Sequence, residues 1–208
     1  MQIASGAFEF LDLAALSSVC DIAPLTDENR ILVKFGLETI GSRRSLGFKS
    51  LCEAASLKRK KILASDLGFI LGPRINASGR MSSPKSALEL LTTRDVEEAS
   101  RLAELLNEEN KARQQEERTL LRQALQMVER TIHFNRDRVI VVWGEGWHEG
   151  VIGIAAQRLV EQFRRPSVVI ALAGDWGKGS GRSIKGFHLF HGLEFCEEFL
   201  EEFGGHEL

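Results

Sequence analysis

The feature that most constrains the fold is an uninterrupted stretch, residues 95–133, that contains neither glycine nor proline. It is rich in Glu, Arg, Leu, Ala and Gln, which are strong helix formers, so the sequence predicts one long helix. Leucine and valine are grouped near its two ends, whereas residues 107–118 contain Ala112 as their one apolar residue. This pattern is typical of a helix that docks into two separate bodies and crosses solvent between them. A coiled coil is the alternative, although the polar middle interrupts any heptad register.

The residues before this helix predict a compact helical piece. Capping and helix-ending residues divide it into short segments. Gly72 and Pro73 are expected to bend the chain before Arg74. The predicted elements are an apolar helix or strand over 11–19, a helix from Thr26 to Gly41, a short helix over 48–55, and a segment over 66–71 that Ser65 can cap.

The residues after the long helix alternate between strand and helix patterns. This alternation predicts a small α/β domain. Its expected elements are a strand over 139–143, a helix over 151–163, a strand over 167–171, a strand near 178–183 and a helix over 187–203.

Three glycine-containing loops in this domain have the composition of anion sites. The first joins the strand to the helix within residues 139–157, where free helix amides and the helix dipole favour a phosphate. The second, 177–183, places two basic side chains among glycines, and the third, 204–206, places His206 beside two glycines. Each loop alone is more often ordinary architecture, but their joint occurrence favours a phosphate-bearing ligand.

Composition narrows the class of protein. The 208 residues carry a formal net charge of -2, which excludes a uniformly basic nucleic-acid coat and leaves local patches, such as residues 74–85 with three bases and no acid. The three cysteines are widely spaced, which favours a reducing compartment and small buried thiols. There is no apolar run of membrane-spanning length and no signal peptide at Met1, so we expect a cytoplasmic protein with no membrane contact.

No self-sufficient catalytic constellation is visible in the sequence. A Ser/His/Asp order, a P-loop, a zinc-protease motif and a carboxylate pair at catalytic spacing are all missing. His188 and His191 have a spacing that could seat a metal, but helix capping and packing are favoured for them. Trp143 and Trp147 could stack on bases, although burial against a helix is the favoured use of each. The spacing alone indicates a protein that binds phosphate polymers.

Four segments then occur in a fixed order: LGPRINASGR over 71–80, GEGWHEGVIGI over 144–154, GSGRSI over 179–184 and FGGH over 203–206. They resemble successive motifs of the RecJ single-strand-specific DNA exonucleases, which belong to the DHH phosphoesterases. The similarity runs through nearly the whole chain, including residues 12–25 and the long helix.

The resemblance implies an α/β chain with the helical tail of a DHH catalytic domain over 1–94. A connecting helix over 95–133 would join it to a DHH-associated, strand-clamping domain over 134–208, within which the chain would stop. Family members use one or two Mn²⁺ or Mg²⁺ ions, and Asp21 resembles the last of their metal-ligating aspartates, whereas the Asp-x-Asp and Asp-His-His motifs have no counterpart here. The implied strand-binding residues are Arg74, Asn76, Arg80, His148, Gly150, Arg182, Ser183, Gly204, Gly205 and His206.

The main hypothesis is therefore that the chain is part of a 5′-to-3′ single-stranded DNA exonuclease that acts in DNA repair and recombination. With Asp21 alone, the chain by itself is expected to be inactive, because one carboxylate cannot build a hard-cation site. One alternative is a non-catalytic single-strand-binding protein. The other is a DHH phosphoesterase for small nucleotides, which would have no use for Arg74 and Arg80 as contacts to distant phosphates.

Overall fold

A computed structural model describes residues 5–42, 45–59 and 61–206, with side chains described from residue 8 onward. The chain divides into two compact units, Met1–Ala112 (unit 1) and Arg113–Leu208 (unit 2). One continuous helix, α7 (Val96–Thr131), contains the boundary between them. The predicted fold class is confirmed, because a helical part, one long helix and a small α/β part follow each other along the chain. The prediction that the chain has no signal peptide was based on Met1–Ala4, which lie outside the described residues.

Unit 1 is built from helices around one apolar core. Its largest fully buried side chains include Phe48, Leu51, Leu67, Leu90 and Leu102. Thr26 lies at the N-cap of the second helix, as predicted, but its side chain makes no capping hydrogen bond. The helices before α7 are α1 (Leu11–Cys20), α2 (Asp27–Gly41), α3 (Leu46–Ala54), α4 (Ala64–Asp66), α5 (Gly72–Met81) and α6 (Lys85–Thr92), with a π-helical turn at Leu67–Leu71.

The bend expected at Gly72 and Pro73 is wrong. The π-helical turn leads directly into α5, of which Pro73 is the second residue, so the chain stays helical through Gly72 and Pro73. The N-cap is Leu63 rather than Ser65, and the Asp66 carboxylate accepts a hydrogen bond from the Leu63 amide at 2.8 Å. The segment that carries Arg74 is therefore helical.

The polar middle of α7 is mostly exposed or half-buried, in keeping with the pattern, but it also contains two buried amides. Asn107 and Asn110 are buried, at 5% and 2% exposure. In the part of α7 that belongs to unit 2, the Arg113 guanidinium and the Glu117 carboxylate form an ion pair at 2.8 Å, and both side chains are largely buried. These polar groups can be buried because they form hydrogen bonds and an ion pair, which lowers the cost of removing them from water.

Asp12 makes the stability of unit 1 dependent on pH. It is 5% exposed, and burial raises the pKa of its carboxyl group although the Leu13 amide donates a hydrogen bond to it at 2.8 Å. Because the pKa is raised on folding, this group stabilises the fold fully below its unfolded pKa, and the contribution is lost as the pH rises through the folded pKa.

We therefore expect Asp12→Asn to be more stable than the wild type at neutral pH. The amide keeps an acceptor for the Leu13 N–H and removes the cost of burying a charge. Urea denaturation across the acid range should show the advantage of the variant shrinking as the pH falls through the folded pKa of Asp12, and levelling off below its unfolded pKa. An advantage that grows toward low pH would contradict this.

Unit 2 contains a three-stranded sheet of order β1-β2-β3, formed by β1 (Ile140–Glu145), β2 (Ser167–Ala173) and β3 (Trp176–Arg182). β1 and β2 are parallel and are joined through helix α8 (Glu149–Phe163), whereas β3 returns antiparallel to β2. Helix α8 packs on β2 and β3 through its buried face.

The strand predicted near residues 178–183 is confirmed, and it contains the glycine-rich segment that was also described as a loop. Its glycines alternate with Lys178, Ser180 and Arg182, so the three polar side chains project to one face and the glycines to the other. Register with β2 pairs Ser180 with Val169, a buried residue that packs on the α8 side of the sheet. The sequence at 177–182 thus forms a two-faced edge strand.

The predicted helix over 187–203 is wrong. The chain forms a short helix, α9 (Leu189–Glu194), followed by a 3-10 turn at Glu197–Phe199. Five glutamates recur here at spacings of three and four, and like charges at those spacings destabilise a helix; they are Glu194, Glu197, Glu198, Glu201 and Glu202. Cys196, expected to be buried, is exposed. None of the helices in the described ranges has the length and apolar composition needed to cross a lipid bilayer.

Candidate nucleic-acid interface

The turn between β1 and α8 carries the first group of candidate residues. Gly146 adopts φ +71°, which lets the chain reverse into the helix. His148 is the N-cap of α8: its Nδ1 accepts a hydrogen bond from the Gly150 amide at 3.0 Å, and its carbonyl accepts one from the Val151 amide at 3.0 Å. Because Nδ1 is an acceptor, the proton of the neutral ring is on Nε2. An anion at this helix end would thus meet an imidazole N–H, while the Gly150 amide is engaged by the cap.

The polar face of β3 lies against the first two turns of α8. Lys178 Nζ is 2.8 Å from Glu149 Oε2. A Cβ added at Gly153 would lie 3.0 Å from Ser180 Oγ and 3.3 Å from Arg182 Nη2, so the absence of a side chain at Gly153 lets these groups approach the helix closely. The Arg182 guanidinium also donates to the Gly181 carbonyl at 2.7 Å. Arg182 is thereby held at the end of the strand, against the second turn of α8.

A groove of about 740 Å³ runs along β3 on the side of the C-terminal segment. One wall is residues 177–182, and the other includes apolar side chains around Leu189 together with residues 202–206. Arg182, Gly204, Gly205 and His206 all line this groove, and the side chains of Arg182 and His206 are exposed. Strand and C-terminal segment therefore bring together one guanidinium and one imidazole from two of the three predicted loops.

Two other predicted residues of unit 2 have different positions. His148 lies at the start of α8 and is not among the residues that line the groove. Ser183 lies just past β3, where its hydroxyl donates to the Phe187 carbonyl at 2.7 Å. Ser183 therefore shapes the turn that follows Arg182.

The candidate residues of unit 1 lie on helix α5. Asn76 and Arg80 are four residues apart on α5, so they share one face, and both are exposed. Arg74 is half-buried and points elsewhere: its Nε donates to Asn107 Oδ1 at 3.1 Å and its Nη1 to the Ile70 carbonyl at 2.6 Å. The helix thus separates Arg74 from the other two residues.

The residues present do not fit a divalent metal. Asp21 is exposed just after α1, and its carboxylate accepts a hydrogen bond from Ser17 Oγ at 3.3 Å. No group of three or more His, Cys, Asp or Glu side chains arranged to hold a metal occurs among residues 5–42, 45–59 and 61–206. Mg²⁺ and Mn²⁺ need several oxygen ligands, so Asp21 without further ligands supports no catalytic step.

His188 and His191 serve the helix, as favoured from the sequence. His188 Nδ1 accepts a hydrogen bond from the His191 amide at 3.3 Å, which caps α9. The two rings are stacked, with centroids 3.6 Å apart and planes 10° from parallel. Ring nitrogens bind metals in the ring plane, so two parallel stacked rings do not converge on one ion. The capping interpretation is confirmed.

Trp143 and Trp147, the two tryptophans near the first loop, differ in burial. Trp147 is buried, and its indole N–H donates to Gln123 Oε1 at 2.6 Å, so the favoured interpretation is confirmed for this residue. The side chain of Trp143 is 45% exposed, so the prediction that it is buried is wrong. Sequence reasoning also missed Ser180 on the face that meets α8, although the alternation of glycine with polar residues in 177–182 carries the signal of a strand.

Comparison with known proteins gives the class of the domain first. Residues 136–208 match the family model of the DHHA1 domain. The single-stranded-DNA-specific exonuclease RecJ of Bacillus subtilis is 39% identical over 203 residues, which is 96% of this chain and 25% of that protein. The RecJ of Escherichia coli is 39% identical over 209 residues, 96% of this chain and 36% of that protein. Nearly the whole chain is therefore similar to part of the RecJ exonucleases, and the resemblance seen in its motifs is confirmed.

Solved structures show the same similarity. The crystal structure of RecJ from Thermus thermophilus in complex with Mg²⁺ matches with a TM-score of 0.84 and 34% identity, over 96% of this chain and 30% of that one. A crystal structure of exonuclease RecJ bound to manganese gives a TM-score of 0.83 and 34% identity, over 96% and 49% of the two chains. The chain spans between 25% and 36% of the length of the curated relatives it matches.

Proposed function

We propose that this chain is the strand-binding part of a RecJ-type exonuclease. The intact protein would hydrolyse single-stranded DNA in the 5′-to-3′ direction, with Mn²⁺ or Mg²⁺, in the cytoplasm during DNA repair and recombination. The observation that carries the proposal is the groove of unit 2, where Arg182 and His206 line one cavity while Arg182 also lies against Gly153 of α8. A guanidinium and an imidazole in one groove are groups that bind a phosphate.

The binding chemistry can be assigned residue by residue. Arg182 would form the charge-assisted contact to a terminal phosphate, because its planar donors match two phosphate oxygens. His206 would add a donor within the groove, and His148 would offer its Nε2 proton at the start of α8. Gly204 and Gly205 leave room for the sugar-phosphate backbone, and Gly205 adopts φ +152°, which suits glycine.

Arg74, Asn76 and Arg80 would contact phosphates farther along the strand. They lie on α5, and their length of side chain and charge suit sequence-independent contacts. We keep the proposed partition into a catalytic-domain tail over 1–94, a connecting helix over 95–133 and a strand-clamping domain over 134–208. The family match over 136–208 and the observed α7 helix support it.

The metal chemistry would reside outside the described residues of this chain. Bound divalent ions would activate water and neutralise charge on the leaving oxygen. Asp21 would contribute one ligand to that site. The chain by itself would therefore bind a strand without cleaving it. The two alternatives, a protein that binds strands without ever cleaving them and a phosphoesterase of small nucleotides, are distinguished by the experiments that follow.

The test is fluorescence-anisotropy titration of the 208-residue chain with 5′-phosphorylated oligonucleotides. We expect single-stranded DNA to bind more tightly than a duplex of the same length and a long oligonucleotide more tightly than a dinucleotide. The logarithm of the binding constant should fall linearly with the logarithm of salt concentration. Equal affinity for the dinucleotide would support the small-nucleotide alternative, and salt-independent binding would contradict the proposal.

A matched activity assay separates the remaining alternative. The chain alone with Mn²⁺ should release no nucleotides, whereas the full-length protein that contains it should degrade single-stranded DNA from the 5′ end. A full-length protein that binds the strand but releases no nucleotide would support a non-catalytic binding protein.

A further inference from the structure

A polar seam joins helix α5 to helix α7 within unit 1. It consists of the Ile70 carbonyl, Arg74, Asn107 and Glu104. Arg74 Nε donates to Asn107 Oδ1 at 3.1 Å, and Asn107 Nδ2 donates to Glu104 Oε1 at 3.3 Å. Arg74 Nη1 donates to the Ile70 carbonyl at 2.6 Å. Asn107 is 5% exposed, so an amide on the polar stretch of α7 is buried and receives a hydrogen bond from a guanidinium.

The seam fixes the orientation of the Arg74 guanidinium. A guanidinium has five N–H groups in one plane. Two of them, one on Nε and one on Nη1, are engaged by two acceptors from different elements, so the plane cannot rotate without breaking a hydrogen bond. The other three N–H groups have no acceptor within the described part of the chain. A guanidinium that has a fixed plane and unengaged N–H groups is well placed to bind an anion.

The charges around Arg74 are of both signs. Burial lowers the pKa of Arg74, although the guanidinium stays protonated, and the nearby Glu104 opposes that shift. The pKa of Lys111 is raised chiefly by its hydrogen bond to Glu108 and is lowered in part by the positive charge of Arg74. A phosphate bound by Arg74 would be attracted by Lys111 as well and repelled by Glu104.

We propose that Asn107 is a positioning residue for Arg74 in strand binding. It fixes the guanidinium so that the three remaining N–H groups face a phosphate remote from the 5′ end. The inference rests on the proposed function, in which Arg74 contacts such a phosphate. It assigns a binding role to a buried residue that touches no strand itself.

A purely structural role for Asn107 makes a different prediction, and Asn110 provides the matched control. Asn110 is also a buried amide, 2% exposed, three residues along the same helix, but the Nε–H of Arg74 is directed at Asn107. Asn107→Leu and Asn110→Leu each replace a buried amide by an apolar side chain of similar size. Both should lower the midpoint of thermal unfolding, whereas one of them should alter strand binding.

The experiment measures the salt dependence of binding to a long single-stranded oligonucleotide for the wild type, Arg74→Ala, Asn107→Leu, their double variant and Asn110→Leu. Each phosphate contact contributes about 0.7 to the slope of log K against log salt for single strands. We expect Arg74→Ala and Asn107→Leu each to reduce the slope by about 0.7 and the affinity roughly tenfold. The double variant should equal Arg74→Ala, and Asn110→Leu should keep the wild-type slope.

The outcomes separate the inference from the proposed function. If the wild type binds with a salt-dependent slope but Asn107→Leu keeps that slope, the inference is wrong and the proposed function stands. The inference is equally wrong if Asn110→Leu reduces the slope as much as Asn107→Leu, or if Arg74→Ala leaves it unchanged. If the wild type does not bind single-stranded DNA, the proposed function fails and the inference fails with it.

Discussion

Replacing Gly36 with alanine should destabilise unit 1 by about 3 kcal/mol, at the upper end of what overpacking costs. A Cβ at this position would lie 2.2 Å from the Leu11 carbonyl oxygen and 2.4 Å from Ala15 Cβ. Both atoms belong to the backbone or the first side-chain atom of α1, so neither can move away by changing a rotamer. The helices α1 and α2 would have to separate, which would open the core beneath them.

Gly79 provides the control with the opposite sign. It lies inside α5, and a Cβ there would meet nothing closer than Pro84 Cβ at 3.7 Å, an ordinary contact. Gly79→Ala should therefore stabilise the protein by about 0.5 to 1 kcal/mol, because alanine loses less conformational entropy on folding than glycine does.

Two optical probes localise the effect of Gly36→Ala. The three tryptophans, Trp143, Trp147 and Trp176, all belong to unit 2, so fluorescence reports on that unit, whereas circular dichroism reports on helices throughout the chain. In urea denaturation, Gly36→Ala should shift the dichroism transition more than the fluorescence transition. Equal stability of Gly36→Ala and the wild type would contradict the close packing of α1 on α2.

Local patterns were sufficient to predict the elements that depend on local sequence. The long helix was predictable because residues 95–133 contain no helix breaker, and it extends over Val96–Thr131. The strand, turn and helix around residues 139–163 were predictable because β-branched residues, glycines and an apolar helical stripe follow each other. In both cases propensity and periodicity agree, and tertiary packing does not oppose them.

Burial of polar groups could not be predicted from the same patterns. Periodicity assigns Asn107 and Asn110 to a solvated stretch, because an amide counts as polar whether or not it has a partner. The partner of Asn107 is Arg74, which lies 33 residues away in the sequence. Long-range hydrogen bonds of this kind carry no local signal, and they decide which polar residues become buried.

The candidate site was predicted in its residues more than in its geometry. Glycine-rich motifs indicated phosphate binding, and the groove along β3 brings Arg182 and His206 into one cavity. A strand was predicted near residues 178–183, but its place at the edge of the sheet and its polar face toward α8 depend on neighbouring elements that carry no local signal. Nor did the sequence predict that His148 caps α8 with its own ring.

Replacing Arg182 with alanine should weaken binding of a 5′-phosphorylated oligonucleotide by a factor of about 10 to 100, the cost of losing a charge-assisted contact. The loss should be smaller for an oligonucleotide with a 5′-hydroxyl, so the variant should discriminate less between the two ends than the wild type does. Arg182→Lys keeps the charge but not the planar pair of donors, so we expect an intermediate affinity.

Arg158→Ala is the control for the loss of one positive charge from unit 2. Arg158 lies on α8, as an exposed side chain that pairs with Glu117 and Glu161 at 3.7 and 3.2 Å, and it does not line the groove. Its replacement removes the same formal charge while leaving Arg182 beside Gly153, so 5′-phosphate discrimination should persist. If Arg158→Ala and Arg182→Ala weakened binding equally, the strand would be held by net charge alone, and the groove would lose its role in recognising the phosphate end.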